Sequence, residues 1–228
     1  MLALLYDVHG NLPALDAVLA DAREQGADRY LLGGDYALFG AFPRATVERL
    51  RRLRPVTWLR GNGERWTAEP ATAPGDEVVQ GAIAAARADL GDAMVSDLAA
   101  VPFQTVLDGT RYCHASPVSD VRSFLPEPAD DEAELLAGVG EGRLVFGHTH
   151  LPFERTAASG VALVNPGSVG MPFDGDVRAA YALVRDDGSV EHRRVGYNRA
   201  RTLAELRERF GSEGWAATVL HRIETASF

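Results

Sequence analysis

Two imidazoles two residues apart, His148 and His150, follow the apolar run Leu144-Val145-Phe146. A strand that ends in Gly147-His148-Thr149-His150 can present both rings to a cleft. Four other stretches have the same form. Asp7-Val8-His9 follows Leu4-Leu5-Tyr6, Gly34-Asp35 follows Tyr30-Leu31-Leu32, Gly61-Asn62 follows Val56-Thr57-Trp58-Leu59, and His114 ends the run from Thr110 to Cys113. The donors are carboxylate, imidazole and amide oxygen, with no thiolate. That mixture suits one or two divalent ions such as manganese or iron better than a structural zinc. With one bridging ligand, such donors can hold two cations about 3.5–4 Å apart, a pair able to activate water and clamp both oxygens of an in-line displacement.

The spacing has a physical logic. In Asp7-x-His9 and His148-x-His150, alternate residues of an extended segment point the same way. Glycines 10, 34, 61 and 147 let the backbone approach ions closely. Taken singly, each site has an ordinary reading. Asp7 is a helix N-cap, His114 a satisfied core histidine, and Asn62, between Gly61 and Gly63, part of a turn. As a constellation the motifs outweigh those readings, because four of the six histidines fall in them. His192 and His221 lie outside every motif and are read as surface residues. Cys113 at the end of an apolar run is read as a buried, inert thiol.

The elements that must position these residues alternate. Leu2 to Val8 reads as a buried strand, and Leu12, Leu15, Leu19 and Ala22 recur at helical spacing up to a C-cap at Gly26. A strand from Tyr30, a helix over 44–53 and a strand over 56–59 follow. That alternation predicts a layered α/β domain with ligands just past the strand ends. Residues 67–76 read as a loop, and 77–99 as a helix pair broken near Gly91. Phe103–Leu107 and Thr110–Cys113 form a hairpin around Asp108-Gly109, and 117–131 is irregular. Strands are expected at 143–146, 151–156, 161–164, 180–185 and 189–195, then helices over 200–210 and 215–222. No internal repeat or boundary divides the chain, so 1–228 is read as one domain.

Composition narrows the function. A formal charge of −9 argues against an extended nucleic-acid surface. One cysteine excludes an intrachain disulfide and fits a reducing cytoplasm. The apolar N-terminus lacks a basic start and runs straight into Asp7, so it reads as a core strand and not a signal peptide. No run approaches the roughly 20 residues of a membrane span.

The ordered motifs resemble the calcineurin-like metallophosphoesterases. Asp7-Val8-His9-Gly10-Asn11-Leu12 is especially similar to the compact bacterial and archaeal phosphodiesterase branch, and Asn165-Pro166-Gly167-Ser168-Val169-Gly170 strengthens that placement. The resemblance implies a four-layer αββα sandwich, two mixed sheets flanked by helices. It implies that Asp7, His9 and His150 hold one metal, that Asn62, His114 and His148 hold the other, and that Asp35 bridges them as the catalytic carboxylate. The metals would be manganese or iron, with zinc, nickel and cobalt as alternatives. The implied activity is a phosphodiesterase that breaks P–O bonds by in-line attack of metal-bound hydroxide, acting on a small phosphodiester or nucleotide. One alternative keeps the chemistry and takes dinucleoside polyphosphates of the Ap4A type, with Tyr36, Phe39, Phe42 or Trp66 as a stacking surface. Another is a non-catalytic scaffold like the retromer subunit of this fold, which has no need of seven intact ligands.

Around the motifs, Asn11 reads as a helix N-cap and as a phosphate contact. Arg60 and Arg65 flank Asn62 and are candidate phosphate contacts, as is Arg122 in the irregular stretch. The glycine-rich 165–170 segment reads either as an anion site or as a turn supporting the His148–His150 loop. One departure from the family pattern stands out. Many relatives have a histidine after the Gly-Asn pair that protonates the leaving group; here that position is Gly63. Glu64 could substitute, although an exposed loop carboxylate is the first reading. General acid help is worth about 10²–10⁴-fold. An aryl phosphodiester, whose leaving group is stable as an anion, is therefore expected to be cleaved well and an alkyl phosphomonoester poorly. Comparing kcat/KM for the two checks this; preference for the alkyl monoester would mean that another group donates the proton.

Overall fold

The computed structural model describes residues 1–228. Strands β1 (Leu2–Leu5), β2 (Arg29–Leu32) and β3 (Val56–Trp58) are parallel, and β9 (Ala179–Val184) and β10 (Val190–Val195) extend the same sheet antiparallel, in the order β10-β9-β1-β2-β3. A second sheet has the order β4-β5-β6-β8-β7, from β4 (Gln104–Leu107), β5 (Thr110–Cys113), β6 (Arg143–Val145), β7 (Phe153–Thr156) and β8 (Ala162–Asn165). β5, β6 and β8 run parallel, and β4 and β7 close the edges antiparallel.

The period-2 rule of a strand explains why β1 reads as an unbroken apolar run. Leu2, Leu4 and Tyr6 face the other sheet, where Tyr112, Val145 and Val164 meet them. Ala3 and Leu5 face the helices, against Leu15, Val18 and Leu19 of α1 (Leu12–Glu24). Both faces are dry, and each buried leucine contributes about 1.5–3 kcal/mol. Helices α2 (Pro43–Leu50) and α5 (Asp92–Ala99) complete that layer. α4 (Glu77–Leu90) packs against α8 (Gly214–Thr225), with Trp215, Val219 and Ile223 buried on Ala82, Ile83 and Ala86. α7 (Arg199–Phe210) joins them through Leu206. The outer face of the second sheet has a thinner cover. Phe124 from the irregular stretch and Leu135 from α6 (Glu132–Leu135) lie on Cys113, Leu144, Phe146 and Leu163. No helix is long and apolar enough to cross a membrane.

The elements follow the sequence expectation, with the short α6 unforeseen and two further local differences. β1 stops at Leu5, because the chain turns out of the sheet to present Asp7 and His9. The segment after Gly61 is helical, not a turn and loop. α3 spans Asn62–Ala68, followed by a 3-10 turn at Pro70–Thr72. Glu64 starts that helix by accepting the Gly61 N–H at 2.8 Å, half of a capping box.

The Tyr6 ring, whose hydroxyl reaches Val145 O of the other sheet, leaves Gly33 no room for a side chain. A Cβ there would lie 2.0 Å from the ring of Tyr6, which is fully buried. Gly33→Ala is expected to lower the unfolding free energy by about 1–3 kcal/mol through overpacking. Urea unfolding checks this, and an unchanged midpoint would mean that the intersheet layer is looser than described.

Candidate metal centre

Every predicted ligand leaves the carboxyl end of a strand, where ligands collect in α/β sheets. Asp7 and His9 follow β1, Asp35 follows β2, and Asn62 opens α3 after β3. From the other sheet, His114 follows β5, and His148 and His150 follow β6. The centre therefore lies at the seam between the sheets. Asp7, His9, Asp35, Asn62, His114 and His150 are buried, and His148 is half-buried.

The backbone is not extended there, contrary to the alternation argument. Asp7 (φ 53°), His9 (46°), Asp35 (56°), His148 (69°) and His150 (59°) all occupy the left-handed region. A non-glycine residue held there costs about 1–3 kcal/mol, and such strain collects at functional sites. The surrounding hydrogen bonds over-determine it. Asp7 N donates to Gly34 O at 3.1 Å, His9 N to Asp35 O at 2.9 Å and Gly10 N to Tyr36 O at 2.8 Å, so the first two ligand loops are zipped together. From the other side, Gly170 N (3.0 Å) and Ser168 Oγ (2.7 Å) both donate to Asp7 O.

The side-chain geometry fixes the protons. Nδ1 of His9, His114 and His150 faces the carbonyl of Leu38 (2.9 Å), Gly33 (2.8 Å) and Met171 (2.5 Å) respectively. A carbonyl only accepts, so each Nδ1 carries the proton and each Nε2 of the neutral ring turns a lone pair inward. Those lone pairs meet other acceptors. His9 Nε2 lies 3.0 Å from His150 Nε2, and His114 Nε2 lies 2.9 Å from Asn62 Oδ1. Asp7 Oδ1 is buried without a hydrogen-bond partner, 3.5 Å from His150 Nε2 and 3.9 Å from His114 Nε2. Acceptors facing acceptors in a buried space fit cations, and the O/N donor set fits transition ions.

Two groups converge: ligand atoms of Asp7, His9 and His150, and of Asp7, Asp35 and His114, each lie within 4.8 Å of one another. Asp35 also spans the centre, with Oδ2 3.9 Å from His9 Nε2 and Oδ1 3.5 Å from His114 Nε2. Asp7 thus shares the intermediate position that the sequence expectation gave to Asp35 alone. The His148 ring lies 5.3 Å from that of His114.

The electrostatics favour these states at His9, His148 and Asp7, whereas at His114 burial is outweighed by the Asp35 and Asp7 carboxylates, which raise the imidazole. Burial, reinforced by His150, pushes His9 down to about 3. Burial and then His114 push His148 down to about 4. Both stay neutral, as ligands must. Burial raises Asp35 to about 7, with Glu64 and Asp7 adding to it against His114. Burial would raise Asp7 too, but His150, His114 and His9 hold it below the usual carboxylate range.

Several neighbours are not where the sequence expectation put them. Glu64 is neither an exposed carboxylate nor a substrate contact. It is buried, and its oxygens accept N–H groups from Asp35 (2.9 Å), Tyr36 (2.8 Å) and Gly61 (2.8 Å), tying two ligand loops together. Asn11 is also buried and fully engaged as the N-cap of α1 and through Gly170, Tyr197 and Thr202, which leaves it no contact for phosphate. Arg60 turns away to Ala99 O, and Arg65 forms a bidentate pair with Asp120 at 2.5 and 2.7 Å. Arg122 is held by Asp131 and Glu134. Asn165 donates to Gly147 O and Thr149 Oγ1, so its segment is the turn that supports the histidine loop. Gly63 has no positive φ; its constraint is space, since a Cβ would lie 2.8 Å from Asp35 Oδ1.

A cleft of about 450 Å³ opens over His9, Asp35, Asn62, His148 and His150. Phe39 and Trp66 line it, as expected of a stacking surface. Tyr36 and Phe42 do not: the Tyr36 hydroxyl is bonded inside the fold to Leu32 O, and Phe42 packs on the α4–α8 cluster. Phe173 and Arg222 also line the cleft, and no sequence motif pointed to either.

The comparisons with known proteins agree with this architecture. Residues 1–188 match the model of the calcineurin-like phosphoesterase superfamily domain. An uncharacterised protein of Methanocaldococcus jannaschii is 27% identical over 220 residues, covering 87% of this chain and 88% of its own. The crystal structure of a metallophosphoesterase from Sphaerobacter thermophilus superposes with a TM-score of 0.83 at 28% identity, covering 99% of both chains. A hypothetical protein of Pyrococcus horikoshii shares the fold, with a TM-score of 0.85 at 21% identity over 100% of this chain and 99% of its own. The chain belongs to the calcineurin-like phosphoesterase superfamily. Its class of reaction is hydrolysis of phosphate esters, and the family implies divalent metal ions.

Glu64→Gln would turn one acceptor into an N–H₂ group facing backbone N–H donors. An unsatisfied buried pair of this kind costs about 1–3 kcal/mol. The variant is expected to lose that much stability in urea and to bind Mn²⁺ at least tenfold more weakly, whereas Cys113→Ser keeps full activity. Unaltered Mn²⁺ affinity in Glu64→Gln would show that the ligand loops hold their geometry without the clamp.

Proposed function

We propose that the chain is a dinuclear-metal-dependent phosphodiesterase, with manganese or iron preferred. The observation that carries this reading is the pair of acceptor-to-acceptor contacts, His9–His150 and His114–Asn62, on either side of the orphaned Asp7 oxygen. In this assignment Asp7, His9 and His150 hold one cation, Asn62, His114 and His148 hold the other, and Asp35 faces both. When bound, such a pair supplies an activated water and neutralises charge on the phosphoryl oxygens.

The protein's own groups do the rest. Gly63 N donates to Asp35 Oδ1 at 2.7 Å, and Glu64 fixes the Asp35 backbone, so the carboxylate is pre-aimed. Beyond the five ligands that line the cleft, its charged groups are Asp76 and Arg222. Asp76 is exposed and caps α4 through Val79 N, and an arginine does not give up its proton. No group is placed to protonate a leaving alkoxide. That favours diesters and anhydrides whose leaving groups are stable as anions. The aromatic side chains of Phe39, Trp66 and Phe173 favour a nucleotide within that class, including a dinucleoside polyphosphate.

Metal analysis and a manganese-supplemented screen of mono-, di- and polyphosphate esters test the reading. Wild-type protein is expected to carry two ions per chain and to turn over an aryl phosphodiester. Asp35→Ala should bind neither ion well, His9→Ala should chiefly lose one, and both should lower turnover by at least about a hundredfold. A single tightly held zinc with no turnover of any diester would overturn it.

A further inference from the structure

We propose that Arg222 is a substrate-specificity residue, binding a second anionic group of the substrate away from the scissile phosphate. The cleft then selects phosphodiesters that carry an additional phosphate. This inference rests on the phosphodiesterase reading above.

Arg222 lies on α8, and it is the sole arginine lining the cleft of a chain with formal charge −9. Many of the other arginines are paired with carboxylates, such as Arg65 with Asp120 and Arg193 with Asp21. Arg222 has no carboxylate within ion-pairing distance, and its Nε is buried without a hydrogen-bond partner. The guanidinium is also oriented. Its carbon lies 4.2 Å from the ring centre of Phe228 and 5.8 Å from that of Phe173. Its terminal N–H groups make no hydrogen bond within the protein and are left for an oxyanion, which a guanidinium meets through charge-assisted contacts.

The position separates this contact from the reacting centre. The Phe173 ring stacks on His150 at 4.4 Å and also touches Arg222, so the guanidinium is one aromatic side chain removed from the ligands. No hydrogen bond or ion pair joins it to any of the seven. Phe173 lies between the two places, Met171 and Trp66 add apolar wall to the same cleft, and Asp76 is the one carboxylate outside the candidate ligands that lines it. A substrate that fills the cleft has one phosphate at the seam between the sheets, an apolar or aromatic moiety on that wall and a second anion at Arg222.

Two dinucleotide phosphodiesters that differ only in a 5′-terminal phosphate test this. The readouts are kcat/KM with Mn²⁺ and calorimetric binding to the metal-free protein. Wild-type protein is expected to favour the phosphorylated dinucleotide by about 10–100-fold in both. Arg222→Gln should bring the ratio close to one, and Arg222→Lys, which keeps the charge without the fork, should fall between. A wild-type ratio near one, or an undiminished ratio in Arg222→Gln, would overturn the proposal. If neither dinucleotide nor an aryl phosphodiester is hydrolysed with Mn²⁺, the phosphodiesterase reading fails, and the binding ratio still decides the role of Arg222.

Discussion

Buried lone pairs aimed at one another are the constraint on which the structure turns. Two imidazole nitrogens 3.0 Å apart, and a third 2.9 Å from an amide oxygen, form a core that repels itself without positive charge. Much of the neighbouring architecture serves to keep them there. Backbone carbonyls choose the tautomers, loops from two sheets are zipped by main-chain hydrogen bonds, and five ligands sit in a backbone region that side chains avoid. The fold is strained where a cation would relieve it.

Glu64 is the second organising group. One carboxylate takes three N–H groups from two ligand loops, and the helix it starts brings Gly63 N to Asp35. That arrangement leaves little room at position 63. A side chain there would press on the Asp35 carboxylate before reaching the cleft. The same tightness that pre-aims Asp35 thus goes with a cleft that has no general acid at this position.

Legibility in the sequence followed the physics of each signal. The strand–helix alternation and the motif residues were readable because periodicity and donor chemistry are local properties. The N-cap role of Asn11 holds, but the phosphate contacts expected of Asn11, Arg60 and Arg65 are not found, because closeness in sequence to a ligand does not set side-chain direction. Each of these side chains finds a partner outside the cleft. Glu64 clamps a loop 28 positions away at Tyr36, which no local pattern announces. Its spacing from Gly61 fits a helix start, as the structure shows, while Gly61-Asn62-Gly63 by itself reads as a turn. Arg222 reaches the cleft only because α8 packs on α4, a long-range contact with no motif of its own.

The division of the ligands between two sheets has a consequence for how the chain is made. Four of them, Asp7, His9, Asp35 and Asn62, belong to the first 62 residues. The other three are translated only after the helix pair α4–α5 and the β4–β5 hairpin have begun. A nascent chain thus emerges with four of the seven candidate ligands and without the other three. All seven meet only where the second sheet docks on the first, so a complete site exists only in the fully folded chain.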